Sequence, residues 1–377
     1  MPRAEGGEAA TGAFKELISA DLVRLIGRHL DDPAGFEAAV VPRLPALEMK
    51  ARVEAIRDAL LDHLPEEPEA RHARLRDMLH PDVRADLKGA SDERGIAGWG
   101  IWPLSLVVGE HGGAAFEDAM ETLRLMTQRS TAEFAIRPLI DADQDRALGI
   151  MAGWVEDPSH HVRRLVSEGT RPRLPWGMRL RGLVADPSPV LRLLARLRDD
   201  PSDYVRRSVA NHLGDVAKDH PALAVEVARD WMRDAPQTRV ALLRHALRHP
   251  IKGGDADALA LFGWGPPRLA PVAVTVDRAV VRMGEEIVVA ADLTSTATGP
   301  QDLAVDLVLH LVKANGRTAP KVFKGAVLRL GPGETARFAR THRFREVTTR
   351  RAHGGRHAVG LRINGVDTPT AAFDLIV

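Results

Sequence analysis

Glu133, Glu168 and Asn211, with Asp215 one turn beyond it, fall in similar register in successive copies of one repeating unit, and this register is the first sign of a chemical site in the sequence. Glu133 opens Glu133-Phe-Ala-Ile-Arg137-Pro138 and Glu168 opens Glu168-Gly-Thr-Arg171-Pro172, strings that agree to within one residue. Advancing Glu168 by the 43 residues that separate the two clearest repeats reaches Asn211, with Asp215 one helical turn further on. These residues form a polar cluster on an otherwise repeating scaffold. The insert 169–181 follows Glu168 and holds four Arg, two Pro, two Gly and Trp176. That composition is poor for a core helix. A basic loop with one aromatic suits contact with a phosphate backbone and a sugar or base together.

Each residue also has a plainer reading. Ser130-Thr-Ala-Glu133 has the spacing of a capping box, in which the glutamate folds back onto the start of a helix. Glu168 can pair with Arg164 and Asp215 with Lys218 on a solvated helix face. Asn211 and His212 can form a buried polar pair, and Trp176 can close the core over its loop. His111-Gly112-Gly113 and His160-His161 are weak signals for a metal, and neither a metal nor a cofactor is expected.

The elements that must position these residues are legible from periodicity. From Phe14 to about Leu247 apolar residues recur at helical spacing in segments of 10–15 residues, separated by short Asp-Pro or Gly breaks. Asp157-Pro-Ser-His-His-Val-Arg-Arg164 and Asp200-Pro-Ser-Asp-Tyr-Val-Arg-Arg207 match at six of eight positions, and Ala235-Pro-Gln-Thr-Arg-Val240 is a fainter copy. Periods of this length with two helices per unit predict an α-helical HEAT-like repeat solenoid over 1–264. The Pro of each corner is expected to open the first turn of the second helix. On the helix near Ser159, Val162, Leu165 and Val166 are expected to be buried. After the linker 265–271 the pattern becomes short alternating runs, which predicts seven or so strands over 272–377 in an immunoglobulin-like β-sandwich. The chain is thus expected to be multidomain, α then β.

The formal net charge of the 377 residues is +1, which by itself argues against a polyanion partner. Residues 1–157, however, carry 18 Lys+Arg against 29 Asp+Glu, while 158–248 carry 17 against 10 and 271–377 carry 15 against 10. An acidic first part hides two basic ones, and these contain most of the repeat cluster, the Arg/Trp insert and the Arg/His loop. Of the 52 basic residues 44 are Arg, whose planar fork suits phosphate, although an arginine-favouring codon usage accounts for such an excess as well. Zero cysteines exclude disulfides, thiolate metal sites and a cysteine nucleophile. No apolar run of membrane-spanning length and no secretory leader is evident, so a cytoplasmic protein without a membrane partner is expected.

Phe134 to Pro138, Trp154 to Trp176 and Asp200 to Pro221 together resemble the AlkC family of bacterial alkylpurine DNA glycosylases, a HEAT-like-repeat group related to the AlkD family. The likeness extends more weakly from Phe14 to Trp264, and some family members carry a C-terminal immunoglobulin-like domain. The resemblance implies a monomeric DNA-3-methyladenine glycosylase of base excision repair, nucleoid-associated while at work. It would excise 3-methyladenine, and with it 3-methylcytosine as a further candidate, from alkylated double-stranded DNA without deep base flipping. It further implies that Glu168 and Asp215 stabilise the sugar cation and activate water, with Glu133 a third acidic contact. Trp176 would pack on the deoxyribose or lesion, while Arg164, Arg171 and Arg173 hold phosphates and Arg207 and Asn211 add DNA contacts. In the sandwich, the loop 349–357 with Arg350, Arg351, Arg356 and two histidines is read as a second DNA clamp. Against these stands a non-catalytic lesion binder or protein-interaction scaffold, the commoner use of such arrays.

Overall fold

The computed structural model describes residues 14–83, 89–346 and 352–377. Among them sixteen α-helices run from Ala20–Gly27 to Ala256–Ala260, and strands occupy the chain from Thr275 onward. No helix among the described residues is long and apolar enough to cross a membrane. The chain divides into two compact units, Met1–Asp219 and His220–Val377.

In the first unit the repeat becomes pairs of helices, Gln144–Trp154 with His160–Gly169 and Ser188–Leu197 with Asp203–Asp219. The second members of the two pairs pack against each other. Val162, Leu165 and Val166 are buried as expected, and they meet a helix whose own buried stripe includes Val205, Val209, Leu213 and Val216. Helical periodicity sorts each of these helices into one apolar face and one polar face.

The Asp-Pro-Ser corners work differently from the expectation. His160–Gly169 has Ser159 as its N-cap, so Pro158 lies ahead of the helix rather than in its first turn. The aspartate does the local work: Asp157 accepts the Ser159 N–H at 2.8 Å and Asp200 accepts the Ser202 N–H at 2.8 Å. A third corner that the repeat comparison overlooked, Asp186-Pro187-Ser188, makes the same bond at 2.9 Å. These are Asx turns, which bend the chain by giving a backbone donor a side-chain acceptor.

The same aspartates also link one repeat to the next. Arg124 reaches Asp157 at 2.7 Å, and Arg163 grips Asp200 through two bonds of 2.6 and 3.0 Å. Arg163 further donates to the carbonyls of Asp157 and Pro158, as Arg206 does to those of Asp200 and Pro201. The Asp157 and Asp200 corners are thereby each closed by their own arginine and clamped by the arginine of the preceding unit.

Among the described residues of the second unit, four helices between Pro221 and Ala260 precede nine strands: β1 Thr275–Val276, β2 Val280–Arg282, β3 Glu286–Thr294, β4 Gln301–Val312, β5 Thr318–Leu330, β6 Thr335–Arg343, β7 Gly355–Ile363, β8 Val366–Asp367 and β9 Ala371–Ile376. One sheet has the order β1-β3-β6, and the other β2-β9-β7-β4-β5 with β8 paired to β7. All pairings are antiparallel except β2 with β9. Ile287, Val289, Leu307, Leu361 and Phe373 contribute to the single buried core of this sandwich. The two strands beyond the expected seven, β2 and β8, are three- and two-residue additions, too short to show alternation in a sequence.

Helices after His220 group with the strands because the connecting segment is tied down. Asn364, at a left-handed φ of 44°, donates to the carbonyls of Gly265 at 2.8 Å and Asp302 at 3.0 Å, while its Oδ1 accepts the Ala304 N–H at 2.7 Å. Arg362 adds a bond to the carbonyl of Lys252 at 2.7 Å. The segment read as a linker is therefore part of a folded unit.

Removing Arg163 leaves a buried Asp200 carboxylate without its cation. Arg163→Ala is expected to cost about 3 kcal/mol, the usual loss for a broken buried pair. A urea unfolding midpoint equal to the parent's would remove the inter-repeat clamp from this account.

Candidate functional site

Glu168 ends the helix His160–Gly169 and Asp215 lies in the last third of Asp203–Asp219, so the packing of these two helices brings the carboxylates together. Both are buried, Asp215 to 1% exposure and Glu168 to 5%. The Arg171 guanidinium lies between them, its Nη1 2.7 Å from Glu168 Oε1 and its Nε 2.8 Å from Asp215 Oδ2. Each carboxylate then has a second donor. Ser208 Oγ donates to Glu168 Oε2 at 2.6 Å, and Lys218 Nζ donates to Asp215 Oδ1 at 2.9 Å. A buried charge is tolerated when it is paired and hydrogen-bonded, and both carboxylates meet that condition.

Glu133 joins through Arg164, which donates to Glu133 Oε2 at 2.7 Å and approaches Glu168 Oε1 at 3.6 Å. The Arg164 guanidinium also lies over the Tyr204 ring, 4.6 Å from its centroid. Burial by itself would raise the Glu168 carboxyl, but Arg164, Arg171 and the Ser208 hydroxyl outweigh it and hold the group below the ordinary carboxylate range. Glu168 is therefore ionised at neutral pH. Burial would likewise lower Arg164, and Glu133 and Glu168 overturn that effect.

Arg137, the arginine of Phe-Ala-Ile-Arg-Pro, is completely buried and ties the insert to the repeats. It donates to the Gly169 carbonyl at 2.7 Å and twice to the Met178 carbonyl, at 2.8 and 2.5 Å. Burial, reinforced by Arg171, pulls it down to about 10, which leaves it charged at neutral pH. Leu174 and Leu180 are buried on either side of the loop tip. Between these anchors Trp176 is 86% exposed and has φ of 65°. Leaving its ring in water forgoes burial energy, and the left-handed backbone angle adds strain.

The plainer readings are answered one by one. Glu133 lies in a turn outside any helix, and its bond is with Thr131 Oγ1 at 2.7 Å, so Ser130 forms no capping box with it. The Glu168–Arg164 and Asp215–Lys218 pairs both exist, but in a buried network rather than on a solvated face. His212 is fully buried while Asn211 is half-buried. Trp176 does not close the core. Asn211, one turn before Asp215, and the exposed Arg207, two turns before it, continue the same helix face. Arg173 is joined to Asp219 by two bonds of 2.6 and 2.5 Å.

The loop of the sandwich is altered. Arg350 and Arg351 lie outside the described residues, and Arg356 is an exposed residue within β7. β6 and β7 belong to different sheets, so the connection crosses between sheets and is no hairpin. His357 is buried, stacked on Phe373 at 5.6 Å, and its Nε2 donates to the His353 carbonyl at 3.1 Å. It belongs to the core because the strand alternation turns it inward.

Sequence reasoning gave no site role to Arg137, Ser167, Tyr204, Ser208 and Asp219, and read His212 only as a buried polar residue. A signal for Arg137 was present, since its Arg-Pro pair aligns with Arg171-Pro172 and both arginines serve the same cluster. The serines gave none, because a hydroxyl is unremarkable until the partner helix is placed beside it.

A family model described as "Uncharacterised protein YhaZ, C-terminal Ig-like domain" matches residues 271–377. The chain is 35% identical over 322 residues to "Uncharacterized protein YhaZ" of Bacillus subtilis (strain 168), covering 85% of each. It is similar in structure to the Pseudomonas fluorescens alkylpurine DNA glycosylase AlkC bound to DNA containing an abasic site analog. The TM-score is 0.85 with 34% identity, over 97% of this chain and all of that one.

His212 gives the site a pH signature. Its Nδ1 is 2.8 Å from the Ser167 carbonyl, which can only accept, and burial depresses the ring to about 4. As pH falls through 6.5 the unfolded chain takes up this proton first, so stability is full above that value and declines until about 4. His212→Asn is expected to flatten the decline by about 3 kcal/mol. Urea titrations of both proteins at pH 7 and pH 4.5 check this, and equal slopes would contradict it.

Proposed function

The chain belongs to the family of the alkylpurine DNA glycosylase AlkC, and on that premise we propose that it hydrolyses the N-glycosidic bond of cationic N3-alkylated bases in duplex DNA. Within that class we assign 3-methyladenine as the main substrate and 3-methylcytosine as a second candidate. The observation that carries this reading is the buried Arg171 bridge, which ties the Glu168 and Asp215 carboxylates together and belongs to the loop that also carries the exposed Trp176.

An N3-alkylated base already bears a positive charge, so it can leave without a general acid. As the C1′–N bond breaks, its electron pair neutralises the base and the positive charge moves to the sugar. Carboxylates at fixed positions then lower the barrier by meeting an oxocarbenium-like sugar with charge that needs no reorganisation. Water attacks C1′ and gives up a proton, for which Asp215 is the acceptor we favour. Lys218, which holds one of its oxygens, is 41% exposed and able to release it. Trp176 packs on the deoxyribose or lesion at the duplex surface, so no deep base-flipping pocket is needed.

The arginines divide by burial. Arg164 and Arg171 spend N–H groups on buried carboxylates, and we reassign them from phosphate clamps to holders of the acids. Arg173, more exposed although tied to Asp219, stays a proposed DNA contact together with Arg207, Asn211 and Arg356.

Glu168→Gln and Asp215→Asn are each expected to slow 3-methyladenine release from methylated DNA by at least about 100-fold while binding of the same duplex persists. Parent rates in both variants would refute the carboxylate mechanism, and binding without release by the parent protein would favour a lesion binder. DNA affinity is expected to fall steeply between about 50 and 200 mM salt despite the net charge of +1. A flat salt response, or unchanged affinity after deletion of residues 271–377, would remove the basic regions from the DNA contact.

A further inference from the structure

The hydroxyls behind Glu168 form a chain that the mechanism above leaves unused. Ser208 Oγ is 2.6 Å from Glu168 Oε2 and 2.9 Å from Ser167 Oγ, with all three residues buried. A hydroxyl has one proton, and the ionised carboxylate can only accept, so the Ser208 proton goes to Glu168. Ser208 is then left with lone pairs, and Ser167 is the donor that fills one. The carbonyl of Ser167 is in turn held by the His212 Nδ1–H at 2.8 Å, one turn after Ser208 on the same helix.

We propose that Ser208, with Ser167 behind it, is a positioning residue for catalysis: the chain Ser167 to Ser208 to Glu168 fixes Oε2 and keeps the carboxylate ionised. This rests on the glycosylase reading of the site. With Ser208 on Oε2 and Arg171 on Oε1 both favouring the charged form, Glu168 is a poor proton acceptor and acts on the sugar through its charge.

The groups facing Glu168 are Arg164 on its own helix, Arg171 in the loop that follows, Arg137 and Glu133 on the segment before it, and Tyr204, His212 and Asp215 on the partner helix. Removing Ser208 changes none of these charges. It takes away only the donor that favours the ionised form.

The test is single-turnover release of 3-methyladenine from methylated duplex by the full chain across pH, with the uncatalysed rate subtracted, beside binding to a duplex holding an abasic-site analogue. Ser208→Ala is expected to lower the maximal rate about tenfold, leave the abasic-duplex affinity within about twofold, and move the acid limb up by about one pH unit. Ser208→Thr, which keeps the hydroxyl, should restore both rate and limb, and Ser167→Ala should show the same changes at smaller amplitude. An acid limb at the parent position in Ser208→Ala, whether or not its melting temperature drops, overturns the assignment. Should Ser208→Ala fail to fold, Ser167→Ala decides by the same criterion. Glu168→Gln run in parallel separates the two levels: an inactive Glu168→Gln beside a parent-like Ser208→Ala sinks only the serine, whereas a fully active Glu168→Gln sinks the site itself.

Discussion

One guanidinium, that of Arg171, determines how the rest of the site is arranged. Two carboxylates at 5% and 1% exposure on neighbouring helices repel each other in a medium that screens poorly, and without a cation between them they would protonate or drive the helices apart. Arg171 removes that choice by offering a different nitrogen to each acid. Its planar fork sets the separation of the two acids, which a flexible ammonium would not do. The loop that carries Arg171 must leave the helix immediately after Glu168 for this to happen, and it also supplies Trp176.

That dependence explains the effort spent on a thirteen-residue insert. A loop rich in Arg, Pro and Gly has little apolar surface with which to hold itself, so its position is set by a few anchors. Arg137 grips the carbonyls at both of its ends, Leu174 and Leu180 plug into the core, and Arg173 is fastened to Asp219. With so many fixed points the strained, exposed Trp176 is held where it is instead of collapsing onto the nearest apolar surface. Arg164 has the corresponding duty on the other side, where Glu133, Glu168 and Tyr204 surround it.

The repeats provide the rigid frame beneath. Asp157 and Asp200 each close their own Asx turn and receive an arginine from the unit before, so the angle of one helix pair is transmitted to the next through buried charge. A site assembled from three consecutive units needs that transmission, because a small change in any unit would separate the acids. In the other unit Asn364 performs a comparable service for the segment that joins helices to strands.

The architecture was legible in the chain because periodicity is a local property. Alternation of 3.6 and of 2 residues separated the helical part from the strands, and the Asp-Pro-Ser strings revealed the repeat that aligned Glu133, Glu168 and Asp215. The short strands β2 and β8 escaped because they are shorter than the pattern that identifies a strand. Pairings escaped for a different reason. That Arg171 would face inward to two acids and Trp176 outward, that His357 would be core and not loop, and that Ser208 would find Glu168 forty residues away all depend on which helix or strand packs beside which. Spacing along a chain names the residues that share a face. Only the juxtaposition of two faces, where buried charge must be neutralised atom by atom, assigns each of those residues a partner.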